Sequence, residues 1–84
     1  MDWYELVYLK SSKNRKAIIK ELNKQSSTPT ELSKKLNNHR STVSQTLLNL
    51  KDHGFVECKT PKRHNYRIYS ITKKGEQYLK KLKE

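Results

Sequence analysis

Arg40, Ser41, Thr42, Ser44 and Gln45 crowd into six consecutive positions. These are the side chains that can read a nucleic-acid duplex. A glutamine amide can make a bidentate pair with adenine N6 and N7, serine and threonine hydroxyls bond to bases or phosphates, and a threonine methyl can meet a thymine methyl. An arginine beside them can reach a phosphate or a guanine. Short hydroxyl residues are poor helix formers, because their side chains compete for backbone bonds, so helical propensity does not account for this cluster. The plain alternative is an ordinary exposed helix face.

A second group lies further along the chain. Between Cys58 and Gly75 stand Lys59, Lys62, Arg63, Arg67, Lys73 and Lys74, with no acidic residue among them. With His64, the tip of this stretch suits contact with a phosphodiester backbone, or insertion into a minor groove, where arginine is favoured in narrow A·T tracts. Its plain alternative is a solvated turn whose lysines discourage edge pairing. A third candidate is the helix start at Thr28 and Thr30, where backbone amides and the helix dipole can hold a phosphate.

The overall charge agrees with these assignments. Nineteen Lys and Arg against eight Asp and Glu leave a net charge of +11 on 84 residues. Such a field attracts polyanions, either nucleic acid or an anionic membrane surface.

Other chemistry finds less support. His39, His53, His64 and Cys58 match no zinc spacing and read as solvated or packed residues, so no metal site is expected. Acids are few and scattered and no glycine-rich phosphate loop exists, which leaves no catalytic constellation and no cofactor. A lone cysteine allows no intramolecular disulfide and fits a reducing cytoplasm. The start, Met1-Asp2-Trp3-Tyr4-Glu5, does not read as a signal peptide, and no run is long and apolar enough to span a bilayer.

The elements that must position these groups follow from periodicity. A short helix is expected over 2–10, with Trp3, Leu6, Val7 and Leu9, and an amphipathic helix over 13–24, with Ile18, Ile19 and Leu22 on one stripe. Asn23 to Ser27 reads as a polar loop. Thr28-Pro29-Thr30-Glu31 is a helix start with cap, first-turn proline and capping-box glutamate. That helix runs through Leu32 and Leu36 to Asn37-Asn38, which tolerate left-handed backbone. A further helix spans His39 to His53, with Val43, Leu47 and Leu50 inward at i, i+4 and i+7 and Gly54 as its stop. With Val43 inward, Ser41, Gln45, Leu48, Asn49 and Asp52 point away, and Thr42 and Ser44 lie at the flanks. Two helices separated by about three residues make a helix-turn-helix, whose second helix enters the major groove with its N-terminal half. Strands are expected over 55–60 and 66–71, joined by a basic turn from Pro61 to Asn65, and Thr72 caps a last helix bearing Tyr78, Leu79 and Leu82. The fold class is mainly α with a small β-hairpin: one domain, residues 1–84, with a three-helix core and flanking helices at both ends.

Three segments carry a resemblance. Residues 28–36 resemble the positioning helix of winged helix-turn-helix regulators, residues 41–56 are similar to their recognition helix and first wing strand, and residues 69–75 look like the segment that closes the wing. In order and spacing they resemble the MarR-like and ArsR-like transcription regulators, especially short archaeal ones. At 84 residues there is no room for the long flanking helices with which full-size MarR proteins dimerise. The resemblance implies sequence-specific binding of double-stranded DNA, with repression by promoter occlusion the simplest mechanism. A non-specific or architectural nucleic-acid binder and a protein-interaction module are the alternatives. It also implies a homodimer. Trp3, Tyr4, Leu6, Val7, Tyr78, Leu79 and Leu82 would form the interface, unless they complete the core of the single chain. A chain this small gains stability by burying more apolar area.

Overall fold

The computed structural model describes residues 2–64 and 66–83; Met1, Glu84 and Asn65, the last expected in the wing turn, lie outside them. The elements run α1 (Trp3–Lys10), α2 (Lys13–Lys24), α3 (Pro29–Leu36), α4 (Arg40–Asp52), β1 (Val56–Cys58), β2 (Tyr69–Ile71) and α5 (Lys73–Lys83). Short polar side chains set the helix starts. Asp2 accepts from the Tyr4 amide at 2.9 Å, Ser12 from Arg15 at 3.3 Å and Thr28 from Glu31 at 3.2 Å. Each satisfies an N–H for which the helix itself has no acceptor. Asn37, at φ 55°, stops α3 in left-handed backbone, and only Asn37 to His39 separate α3 from α4. At the other end of α4 the Gly54 amide donates to the Lys51 carbonyl at 2.9 Å and the Phe55 amide to Leu50 at 3.0 Å. Gly54 sits at φ 81°, the left-handed geometry that lets both bonds form.

One stripe from each helix meets in a single core. Leu9, Ile18, Ile19, Leu32, Val43, Leu47, Leu50 and Phe55 are fully buried, and Leu22 and Val56 nearly so. The 3.6-residue spacing of Val43, Leu47 and Leu50 fixes how α4 rolls on this core, and therefore which of its residues face out. Between α2 and α3, Glu21 lies 3.4 Å from both Lys24 and Lys35. Burial pushes its carboxyl up, but the two ammonium groups outweigh burial and hold it below its ordinary value.

The hairpin is shorter than the sequence suggests. Its strands pair antiparallel with Val56 opposite Ile71, Glu57 opposite Ser70 and Cys58 opposite Tyr69. One more backbone bond, Lys59 amide to Ile68 carbonyl at 2.7 Å, extends the ladder. Beyond it the Ile68 amide goes to the Thr60 hydroxyl at 3.0 Å instead of a strand carbonyl. Pro61 has no N–H to offer, and Tyr66 adopts left-handed backbone at φ 56°. The segment read as a loop, Asn23 to Ser27, supplies an unforeseen partner. Ser27 is buried and exchanges two backbone bonds with Tyr69, at 3.1 and 2.9 Å. This bridge ties the wing to the entry of α3. The whole is a winged helix-turn-helix.

Three residues assigned to a dimer interface belong to the chain's own core. Leu6, Tyr78 and Leu79 are buried there. The Tyr78 ring meets Phe55 edge-on at 5.1 Å, and its hydroxyl accepts from the Asp2 amide at 2.9 Å. The cause is the packing of α1 and α5 against each other, which uses the stripe that a partner would need. Leu82 is half-buried against the same core. Trp3, Tyr4 and Val7 remain on the surface, 66%, 85% and 44% exposed. Among the described residues no helix is long and apolar enough to cross a membrane.

Candidate nucleic-acid interface

Helix α4 presents two rows away from the core. Ser41 and Gln45 form the outer one, and both are exposed. The Gln45 amide nitrogen donates to Asn49 Oδ1 at 3.3 Å, an exposed bond that can be exchanged for one to a base. Thr42 is exposed too, and its carbonyl accepts from the Thr46 hydroxyl at 2.9 Å. The second row, Arg40, Ser44 and Leu48, faces the wing. Here the structure separates residues that the sequence treats as one cluster: Arg40 and Ser44 line the wall of a cleft, whereas Ser41 and Gln45 lie outside it.

That cleft holds about 290 Å³ between α4, the start of α3 and the wing. Arg40, Ser44 and Leu48 form one wall, His64, Tyr66 and Arg67 the other, and Pro29, Thr30 and Tyr69 contribute the rest. No acidic residue lines it. The Arg67 guanidinium is steadied by a bond from Nε to the Arg63 carbonyl at 2.6 Å. Sequence reading missed Tyr66 and Leu48 as cleft residues. An aromatic in a presumed strand and an outward leucine carry no signal until the wing folds back over α4.

The remaining wing residues divide by partner. Lys62, Arg63 and His64 are exposed. Lys59 is less available, because its ammonium lies 3.1 Å from Glu57, the acid just before the stretch read as free of acids. Lys74 is engaged elsewhere: it lies 2.6 Å from the Glu5 carboxylate and donates to the His53 carbonyl at 2.6 Å. It therefore fastens α1 and α5 to the end of α4. The exposed His53 stacks its ring on Tyr8 at 4.0 Å.

The start of α3 is a poorer anion site than its sequence suggests. Pro29 has no N–H, the Glu31 amide is bound to the Thr28 hydroxyl, and that hydroxyl donates to the Glu31 carboxylate at 3.2 Å. A carboxylate at the helix start already occupies the favourable field. Thr30 is the residue of this group that faces the cleft. Among the described residues no cluster of three His, Cys, Asp or Glu side chains could hold a metal ion.

A family model described as the HVO_A0261 N-terminal domain matches residues 3–84. The chain belongs to that family. In this chain the matched stretch is a winged helix-turn-helix. Among solved structures the chain is similar to a MarR family transcription regulator, SP03579, at a TM-score of 0.79 and 21% identity over 93% of this chain and 53% of that one. It is also similar to the transcriptional repressor BigR from Xylella fastidiosa, at a TM-score of 0.75 and 24% identity over 92% and 78% of the two chains. A MarR family regulator from Neisseria meningitidis gives a TM-score of 0.76 and 23% identity, over 86% of this chain and 52% of its own. The chain thus spans about half the length of the MarR family structures it matches. At these identities the likeness is one of fold. No curated protein matches the sequence.

Proposed function

We propose that this protein is a transcription regulator that binds double-stranded DNA at a specific sequence. The observation that carries the reading is the meeting of α4 and the wing around one acid-free cleft, with Arg40, Thr30, Ser44, His64 and Arg67 on its walls. The outer row of Ser41 and Gln45 supplies base readout, and the exposed Lys62 and Arg63 supply backbone contact. The resemblance to MarR-like regulators supports repression by promoter occlusion, in the cytoplasm, with the 84 residues acting as one DNA-binding domain.

Gln45 is the decisive residue for specificity. Gln45→Ala should cost about 1–3 kcal/mol on the preferred site and little on random duplex. Competition binding with the two duplexes measures the difference, and equal weakening on both would show that Gln45 does not read bases.

The protein acts as a homodimer on a near-palindromic site in this reading. The exposed Trp3, Tyr4 and Val7 of α1 are the surface offered to the second copy, with half-buried Leu82 beside the core. Sedimentation at micromolar concentration should give twice the chain mass, and Trp3→Ser with Tyr4→Ser should shift it toward the monomer. A monomer for the unaltered protein, with and without DNA, contradicts the dimer.

A further inference from the structure

Tyr66 is the least expected residue of the cleft. Its φ is 56°, and besides Asn37 it is the only non-glycine residue with positive φ among those described. Asn37 needs that geometry to end α3, and asparagine tolerates it; an aromatic side chain does so only at an energetic cost. Such conformations persist where the surroundings enforce them, and they cluster at functional sites. The ring is not used to hold the fold. Tyr66 is 69% exposed and belongs neither to the core nor to the aromatic group of Tyr8, His53, Phe55 and Tyr78. It stands at the cleft wall beside Arg67, across from Leu48, which is itself 40% exposed.

The cleft lining is of two kinds. Arg40, His64 and Arg67 are cationic or can become so, while Leu48, Tyr66, Pro29 and Tyr69 are apolar or aromatic. A DNA strand offers a partner to each kind, phosphate to the cations and deoxyribose to the apolar groups, and a cleft of about 290 Å³ has room for a sugar–phosphate unit. In the DNA-binding reading above, a strand passing between α4 and the wing lets α4 enter the major groove while the wing lies beside the minor groove.

We propose that the left-handed backbone at Tyr66 holds its ring out as the apolar wall of a sugar–phosphate seat, packing on a deoxyribose while Arg40 and Arg67 engage the flanking phosphates. The inference rests on the DNA-binding reading above and adds an affinity-determining residue to it. Because every duplex has the same sugars, Tyr66 contributes to all sequences alike. Because its contact is uncharged, it releases no counterions.

Tyr66→Gly separates the ring from the backbone, since glycine accepts positive φ without strain. Tyr66→Phe keeps the ring and removes the hydroxyl. Affinities of the full chain and both variants for several duplexes across a salt series, with melting temperatures, make the test. Tyr66→Gly should bind every duplex about tenfold more weakly, a loss typical of one aromatic contact to nucleic acid, with its salt slope and melting temperature undiminished. Tyr66→Phe should bind like the unaltered protein. Unchanged affinity in Tyr66→Gly overturns the seat while leaving DNA binding intact. A loss confined to certain sequences overturns it too, since the ring would then be reading bases. Failure of the unaltered protein to bind any duplex overturns both this inference and the reading beneath it.

Discussion

Gly75→Ala should destabilise the protein by about 1–3 kcal/mol, although the residue lies in a helix, where alanine is normally the better choice. The reversal comes from the packing of α5 on the root of the wing. A Cβ at this position would run into the Phe55 carbonyl oxygen and come within 2.6 Å of Ile71 Cγ1. The first of these is backbone, which cannot swing aside. The Phe55 carbonyl also accepts the Thr72 amide at 3.1 Å, and the Thr72 hydroxyl accepts from the Gly75 amide at 3.1 Å and donates to the Gly54 carbonyl at 2.7 Å. Displacing the start of α5 therefore disturbs the cap of α5 and the exit from α4 together. In a domain of this size each kcal/mol lowers the melting temperature by about 4–8 °C. An unchanged or raised melting temperature would show that α5 slides outward freely.

Lys62→Ala with Arg63→Ala should lower the salt slope of DNA binding by about two units and weaken all duplexes by similar factors. Both residues are exposed at the wing turn, and the turn itself is held by backbone that alanine preserves: the Arg63 amide donates to the Thr60 carbonyl at 3.1 Å, and the Arg63 carbonyl accepts from Arg67. The melting temperature should hold. Lys59→Ala is the contrasting case, since its ammonium is already paired with Glu57 and should change the slope less. An unchanged slope in the double variant, with the fold intact, would mean that the wing charge only solubilises and that the helices alone grip the duplex.

Much of this architecture is legible in the sequence because it is local. Thr28-Pro29, Asn37 and Gly54 each fix a helix end through bonds a few residues away, and the Val43, Leu47, Leu50 stripe fixes the outward face of α4. What escapes the sequence depends on pairs distant in the chain. The Ser27 bridge to Tyr69 joins residues with no mutual pattern, so a polar loop becomes part of the wing sheet. Lys74 counts as a free wing cation until α1 brings Glu5 to it. Leu6, Tyr78 and Leu79 read from the sequence as interface, and only the packing of α1 on α5 shows them to be core. The division of the polar cluster, with Arg40 and Ser44 toward the wing and Ser41 and Gln45 outward, requires the wing to be in place.

In the proposed function, α4 and the wing together recognise a particular DNA sequence. Selection of bound duplexes from a random pool, at a salt concentration where bulk duplex still binds, addresses it directly. The pool should converge on one site built of two inverted half-sites, and Gln45→Ala should relax the base preference within each half while Lys62→Ala with Arg63→Ala leaves it unchanged. A pool that binds but never converges would contradict sequence recognition and mark a general duplex binder instead.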